Sequence, residues 1–248
     1  MSSGLSGAVP AAPHPEEPAR LAALREYGVL DTLPEPVYDD IAFLASYICE
    51  TPIAVVSLID EDRQWFKAKV GTDLTGTSRD MAFCAHAILE PEGVFVVDDL
   101  LEDPRFATNP FVREDPRIRF YAGAPLHSPG GMPLGTLCAM DVVPRRLSAE
   151  QSRALQALSR EVVVHLELRR LITDLSAWTG QPAPDDALNS EVRNELQEAS
   201  RSAASASNLV GEAMEQVLEA ESRLRNLVHR LQFLQDAPAP PATGTHRL

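Results

Sequence analysis

Positively charged residues are scarce in this chain. Its 248 residues include 22 Lys and Arg against 36 Asp and Glu, which gives a formal net charge of −14. Nucleic acids and anionic membrane surfaces are bound through positively charged patches, so we expect neither as a partner. Long apolar runs are missing as well. No stretch of the sequence approaches the ~20 residues that a membrane-spanning helix requires.

Cysteine is rare, with three residues in the whole sequence. So small and odd a number does not suit a disulfide framework and favours reduced thiols. Residues 1–18 are mostly Ser, Gly, Ala and Pro, without the basic start and apolar stretch of a secretory signal. We therefore expect the protein in the cytoplasm.

The common signatures of catalysis and metal binding are also missing. The sequence has no Gly-rich phosphate loop ending in Lys-Ser or Lys-Thr, no His-Glu-x-x-His pair, no nucleophile elbow and no kinase nucleotide-binding motif. It has no Cys-x-x-Cys pair, and the spacing of Cys84 and His86 is not that of a structural zinc site. We expect no metal and no catalytic residue, and nothing identifies a cofactor.

The last third of the chain carries a heptad pattern of apolar residues. They follow one another at steps of three and four from Val192 to Leu234, which predicts a coiled-coil helix over residues 187–236. The middle of this seam is mostly alanine, and its C-terminal end is mostly leucine. Each fully buried leucine contributes ~1.5–3 kcal/mol, so the leucine-rich end should hold a homo-oligomer. The predicted oligomerisation residues are Val217, Leu224, Leu227, Leu231 and Leu234. Alternatively, this helix folds back on its own domain.

The region before the heptads has the pattern of an α+β domain, in which helices flank an antiparallel sheet. Alternating and apolar segments separated by short turns predict hairpins. The predicted strands cover residues 51–59, 63–70, 94–97, 119–126 and 134–142. In the second strand we expect Phe66, Ala68 and Val70 to share one face.

Helix signals bracket these strands. The predicted helices cover residues 18–27, 36–50, 77–89 and 148–178. Thr77 or Ser78 is expected to cap the short one, and Ser148 with Gln151 forms a capping box at the start of the last. The resulting organisation is a disordered segment at 1–17, a globular domain at 18–178, a linker at 179–186, the coiled coil and a disordered tail at 237–248.

A long loop rich in Asp, Pro and Asn, at residues 98–117, is a candidate for ligand binding, because long ordered loops in compact domains often bind ligands. Arg105 and Arg119 could hold an anionic ligand there. Alternatively, they form internal salt bridges with Asp98, Asp99 or Asp103.

Two other residue types allow both a functional and a structural interpretation. His86 could contact a ligand or act as a general base, or it could be a hydrogen-bonded, partly buried histidine. Cys84 could be redox-active, or it could be a small buried thiol, as Cys49 and Cys138 in their apolar segments are expected to be.

Several motifs, in the same order, resemble the GAF sensor domains of bacterial signalling proteins over roughly residues 18–175. The motifs are Asp60-Glu61-Asp62-Arg63-Gln64-Trp65-Phe66-Lys67, Phe83-Cys84-Ala85-His86-Ala87-Ile88, Asp103-Pro104-Arg105-Phe106 with Asn109-Pro110, Ile118-Arg119-Phe120-Tyr121-Ala122-Gly123-Ala124-Pro125-Leu126, and Gly135-Thr136-Leu137-Cys138 with Asp141. The resemblance implies a GAF-like central sheet with helices on one side and a ligand pocket between sheet and loop on the other. It also implies dimerisation through the first and last helices.

The pocket residues that we predict from this resemblance are Phe83, Cys84, His86, Arg105, Arg119 and Tyr121. GAF domains hold cyclic nucleotides, tetrapyrroles, haem, small metabolites or nothing, so the resemblance names no ligand. It implies a non-catalytic sensor or adaptor that couples small-molecule or redox sensing to the coiled coil.

The resemblance also implies a signalling partner. Such domains commonly precede histidine kinase or cyclic-di-nucleotide enzyme domains, and neither kind follows in this sequence. We therefore expect the output to be the coil or a partner of that kind. Two alternatives stay open: a thiol-dependent GAF-fold reductase of free methionine sulfoxide, and a structural oligomerisation protein with an empty GAF fold. The three cysteines lie on separate predicted elements, without a neighbouring resolving pair.

Overall fold

The computed structural model describes residues 7–90 and 93–179. Within these ranges one antiparallel sheet has six strands, in the spatial order β3-β2-β1-β6-β5-β4. The strands are β1 (Ile53–Ile59), β2 (Arg63–Val70), β3 (Gly76–Ser78), β4 (Phe95–Val97), β5 (Phe120–His127) and β6 (Pro133–Asp141). The predicted α+β class is confirmed, with β1 in the centre as its apolar sequence indicates.

Five α-helices accompany this sheet in the described ranges. They are α1 (Glu17–Glu26), α2 (Pro36–Cys49), α3 (Phe83–Ala87), α4 (Pro110–Arg113) and α5 (Ala149–Thr179). The helices α2 and α5 pack against each other and against the sheet. None of the helices in the described ranges combines the length and apolar character that crossing a membrane requires. The predicted coil at 187–236 and the tail at 237–248 lie outside the described residues, as does the predicted linker beyond Thr179.

The sheet separates two apolar cores, and alternation along β1 serves both. Ala54, Val56 and Leu58 enter the helix-side core, which lies between the sheet and α2 and α5. The neighbouring Ile53, Val55 and Ile59 enter the loop-side core, which lies between the sheet, α3 and the loop at 98–117. Both cores are packed because successive strand residues point to opposite faces.

A bulge in β2 overturns one prediction. Val56 pairs with Ala68 but the next residue, Ser57, pairs with Phe66, so Lys67 is the extra residue. Phe66 therefore packs against the loop-side core, whereas Ala68 lies in the helix-side core. The expectation that Phe66 shares a face with Ala68 and Val70 is wrong, because it assumed unbroken alternation.

The helix predicted at 77–89 is also shorter than expected. Thr77 and Ser78 belong to β3, paired with β2, and the Ser78 side chain makes no capping hydrogen bond. A single 3-10 turn at Arg79–Met81 follows, and Ala82 in extended conformation precedes α3. The strand pairing uses the residues that the prediction assigned to the cap.

The predicted capping box of α5 is confirmed. The Gln151 backbone N–H donates to Ser148 Oγ at 3.1 Å, and the Ser148 N–H donates to Gln151 Oε1 at 3.0 Å. The Gln151 amide also donates to the Ile48 carbonyl of α2 at 3.0 Å, which ties the start of α5 to its neighbour.

Part of the segment predicted to be disordered contacts the domain. Residues 7–16 contain no helix or strand, yet Ala11 packs against the loop-side core. The Val9 carbonyl lies 3.1 Å from His86 Nε2. Residues 1–6 lie outside the described residues.

Candidate functional site

Two cysteines from separate elements meet in the loop-side core. Cys84 on α3 and Cys138 on β6 have their Sγ atoms 3.8 Å apart, although 54 positions separate them in sequence. Both side chains are buried. Cys49 lies in the helix-side core, on the other side of the sheet. The structure thus provides the neighbouring thiol that the sequence did not indicate.

Polar groups surround Cys84 in this otherwise apolar layer. Gln64 Nε2 donates to Cys84 Sγ at 3.1 Å, and the Tyr121 hydroxyl donates at 3.2 Å. Behind them, the hydroxyls of Ser57 and Thr136 lie 3.2 Å apart. Such a set of donors around a buried sulfur favours its charged form.

The two thiols therefore differ in acidity. Burial opposes ionisation of Cys84, but hydrogen bonds from Cys138, Ser57, Thr136 and Tyr121 outweigh it and lower its pKa below the usual cysteine value. The hydrogen bond with Cys84, together with burial, raises the pKa of the Cys138 thiol. The environment of Cys84 thus favours its thiolate more than that of Cys138 does.

Strand alternation and one glycine build this arrangement. Thr136 and Cys138 are two residues apart on β6 and so reach the same face of the sheet. Tyr121 reaches that face from β5. A Cβ atom at Gly123 would lie 2.2 Å from the Tyr121 hydroxyl oxygen, so only glycine leaves room for that hydroxyl.

Aromatic rings cover the thiol pair. The ring of Phe83 packs edge-on against Tyr121 and Phe106, with centroids 5.7 and 5.4 Å apart. Phe95 contacts both Tyr121 and Phe106. These rings keep bulk water away, which strengthens each hydrogen bond around the sulfur.

A cavity of about 60 Å³ reaches Cys84 from the surface. Its lining includes the buried Val55 and Cys84 and the exposed Leu74 and Pro116. Phe66, Ala82, Phe83, Phe111, Ile118 and Met140 also line it. Its walls are mostly apolar.

The predicted pocket residues divide into two groups. Phe83 and Cys84 line the cavity, whereas His86, Arg105, Arg119 and Tyr121 are not among its lining residues. Tyr121 reaches the site through its hydrogen bond to Cys84. The assignment of the six residues to ligand binding remains a prediction.

Arg105 and Arg119 form the internal salt bridges that the sequence allowed as an alternative to binding an anionic ligand. Arg119 donates through Nε to Asp99 at 2.7 Å, and Arg105 donates through Nη2 to Asp103 at 2.6 Å. Hydrogen bonds from these arginines lower the pKa of both aspartates. The Arg105 guanidinium also lies over the ring of Phe106, 5.2 Å from its centroid.

His86 has the environment of a hydrogen-bonded, partly buried histidine, which the sequence allowed as an alternative to a ligand contact or a general base. It is half-buried, contacts the Val9 carbonyl and packs edge-on against Phe106 at 4.8 Å between centroids. Burial lowers the pKa of its imidazole. Its neutral form therefore dominates near pH 7.

Sequence reasoning missed four residues of this site. They are Ser57, Gln64, Thr136 and Cys138. Cys138 was considered only as a core thiol, and alternation along β6 could have placed it beside Thr136. No sequence signal could place Gln64 against Cys84, because that contact depends on how α3 packs over β2. In the described ranges no three His, Cys, Asp or Glu side chains come together as metal ligands.

Comparison with known proteins agrees with the architecture. The model of the GAF domain family matches residues 33–166, more than half of the chain. A cyclic di-GMP phosphodiesterase of Pseudomonas aeruginosa is 42% identical over 170 residues, which are 68% of this chain and 29% of that protein. The chain thus spans about three tenths of the length of this relative.

Two solved structures are similar to this chain at low identity. One is the blue-light absorbing form of the PixJ GAF domain of Thermosynechococcus elongatus, 14% identical with a TM-score of 0.47, covering 63% of this chain and 94% of that one. The other is a type II free methionine-R-sulfoxide reductase from Thermoplasma acidophilum, 14% identical with a TM-score of 0.43, covering 53% and 93%. These two proteins are named for different activities, so the likeness indicates no ligand for this chain.

Proposed function

This chain belongs to the GAF domain family, and we propose that it is a non-catalytic signalling sensor in which a small effector in the cavity acts on the last helix. The observation that carries the proposal is a connection through the sheet from the cavity wall to α5. Phe66 lines the cavity on the loop side. Because of the bulge, the adjacent Lys67 is buried on the helix side, with 4% of its surface exposed.

Lys67 holds the start of α2 from this position. Its Nζ donates to Glu35 Oε1 at 2.6 Å, to the Leu33 carbonyl at 2.8 Å and to Thr32 Oγ1 at 2.9 Å. Glu35 also pairs with Arg169 of α5 at 3.3 Å. A shift of β2 at Phe66 therefore acts on α5 through two ion pairs.

The output of the sensor is proposed to be the coil. The helix α5 runs to Thr179, before the heptads at 187–236. A homo-oligomer held by Val217, Leu224, Leu227, Leu231 and Leu234 would place two copies of α5 side by side. The relative named as a cyclic di-GMP phosphodiesterase contains a similar region, which supports a cyclic-di-nucleotide enzyme as signalling partner, with a histidine kinase as the second choice.

Filling the cavity tests the connection. Ala82 lines the cavity, and Ala82→Leu adds three carbons to a space of about 60 Å³. At ~24 cal/mol per Å³, filling the cavity raises the free energy of local opening by at most about 1.4 kcal/mol. Amides that exchange only when the cavity region opens should therefore exchange ~10-fold more slowly. We expect slower exchange in β2 and α5, measured by mass spectrometry on the full chain.

A second substitution separates the two steps. Adding Glu35→Gln to Ala82→Leu should remove the effect on α5 while β2 stays protected, because the ion pairs to Lys67 and Arg169 are lost. Glu61→Gln, which affects an exposed pair with Arg25, is the matched control. An α5 that exchanges alike in all variants would contradict the proposal.

The proximity of Cys84 and Cys138 favours a second candidate, the thiol-dependent reductase. Two thiols whose Sγ atoms lie 3.8 Å apart could reduce a sulfoxide and close a disulfide. Turnover of free methionine sulfoxide with dithiothreitol distinguishes the candidates. The sensor should give no turnover above a Cys84→Ser control, and turnover that is lost in that control would favour the enzyme.

A further inference from the structure

The cavity is lined by one cysteine of the pair and not by the other. Cys84 is among the lining residues, whereas Cys138 is fully buried and is not. The exposed Leu74 and Pro116 mark the outer end. A small molecule in the cavity would therefore lie beside Cys84 and not beside Cys138.

We propose that Cys84 and Cys138 form a reversible oxidation switch, in which a hydroperoxide oxidises Cys84 and Cys138 then closes a disulfide with it. The signalling role of this disulfide rests on the sensor function proposed above. Its formation depends only on Cys84 and Cys138.

The reaction proceeds in two balanced steps. The Cys84 thiolate attacks an oxygen of the hydroperoxide, an S–O bond forms and the O–O bond breaks. The leaving alkoxide, or hydroxide from hydrogen peroxide, takes up the proton that Cys84 released on ionising. Cys138 then attacks the sulfenic sulfur, the S–S bond forms, and the hydroxyl leaves with the Cys138 proton as water. The two sulfurs lose two electrons and the peroxide gains two, and a dithiol reductant reverses the change.

The surroundings of Cys84 suit the first step. Gln64 and Tyr121 donate hydrogen bonds to its sulfur, which stabilises the thiolate that attacks. The cavity volume of about 60 Å³ admits hydrogen peroxide and excludes bulky oxidants.

Closing the disulfide changes the structure locally. The sulfurs must approach from 3.8 Å to about 2.05 Å. Cys138 lies in β6, which is held by β1 and β5 on both sides, whereas α3 has five residues. We therefore expect α3 to move rather than β6. Gln64 of β2 then loses the Cys84 thiolate as its hydrogen-bond acceptor. Gln64 itself lines the cavity, so oxidation changes a contact in the cavity wall.

The experiment compares cysteines within one molecule. The reduced full chain is treated with hydrogen peroxide at pH 7, denatured in N-ethylmaleimide and analysed by peptide mass spectrometry. We expect Cys84 and Cys138 to be lost together as one disulfide-linked peptide pair, about tenfold or more faster than Cys49, because Cys84 lines the cavity and accepts two hydrogen bonds at its sulfur, whereas Cys49 lies in the helix-side core. Dithiothreitol should restore both thiols.

Three variants assign the roles. Cys138→Ser should leave a Cys84 sulfenic acid that dimedone traps, and Cys49→Ser should react like the parent. Tyr121→Phe removes one donor to the thiolate, so the midpoint of the rate against pH should move to higher pH. Rescue of the rate at high pH separates this effect from misfolding.

Two results would overturn the switch. One is that Cys84 and Cys138 survive a peroxide excess that oxidises Cys49, and the other is that disulfides form only between chains. These results come from the parent protein and need no variant to fold. If the disulfide forms but exchange in α5 does not change, the sensor connection fails and the switch stands.

Discussion

At the scale of single residues, Glu17 holds two arginines at the edge of the domain. Arg20 is fully buried, and its Nη2 donates to Glu17 Oε1 at 2.6 Å. Arg79 donates to the same oxygen at 2.6 Å. Burial opposes ionisation of Glu17, but the hydrogen bonds from Arg20 and Arg79 outweigh it and lower its pKa to about 2. Glu17 thereby neutralises a buried cation.

We predict that Glu17→Gln lowers the free energy of unfolding by about 3 kcal/mol at pH 7, because Arg20 then remains buried without a counter-charge. The folded pKa of Glu17 lies below its ordinary value of 4.5. Its stabilisation is therefore complete above that value and is lost as pH falls toward 2. Urea unfolding at pH 7, 4 and 3 should show a steeper loss in the parent than in the variant. Equal pH slopes would refute this, and Glu61→Gln should change stability by less than about 1 kcal/mol.

Residue identities indicated part of the site. Phe83 and Cys84 could be assigned to a pocket from their motif, and they line the cavity. The charge of Arg105 and Arg119 suited an anionic ligand as well as the neighbouring aspartates, and only the fold shows their partners Asp103 and Asp99. A side-chain charge alone does not determine its partner.

At the scale of elements, α5 is positioned by its first turn. Ser148 and Gln151 cap each other, and Gln151 also bonds to α2. Because α5 covers the helix-side core, its first turn fixes how the helix lies across the sheet. The capping box could be predicted because it is local in sequence, whereas the bond from Gln151 to α2 could not.

We predict that Ser148→Ala destabilises the domain by about 1 kcal/mol, since the Gln151 N–H loses its side-chain acceptor. Ser152→Ala, in the same turn, removes a hydroxyl outside the cap and should change stability by no more than about 0.5 kcal/mol. Thermal unfolding followed by circular dichroism measures both. A Ser148→Ala midpoint equal to that of the control would show that the box does not hold the helix.

The β2 bulge marks the limit of prediction for elements. Alternation and turns predicted five of the six strands to within a few residues and missed β3, yet nothing local separates Phe66 from Ala68. The extra residue, Lys67, donates to Glu35 and to the Leu33 carbonyl on the helix side of the sheet, and these are contacts between distant parts of the chain. The pairing of Cys84 with Cys138 escaped prediction for the same reason.

At the scale of the whole molecule, the heptads at 187–236 lie outside the described residues, so the oligomer remains a prediction. We expect Leu224→Asp with Leu231→Asp to convert a homo-oligomer into a folded monomer, because two charges per chain would be buried in the leucine-rich seam. Sedimentation velocity measures the mass, and circular dichroism checks the fold.

The matched control places the same charges on the opposite side of the predicted helix. Ser222 and His229 lie five residues after the seam positions Val217 and Leu224. The double variant Ser222→Asp with His229→Asp should therefore sediment like the parent. If both double variants sediment like the parent, the coil does not hold the oligomer, and the proposed output loses its support.

The division of the sheet into two layers has an evolutionary consequence. Val55 and Phe66 line the cavity, whereas their neighbours Val56 and Lys67 face the helices. Mutations on one face can therefore accumulate under a different selection from those on the other. Under the proposed sensor function, a lineage would exchange its stimulus by altering the cavity while it inherits the helical output intact, and duplicated copies would diverge in what they detect without diverging in what they control.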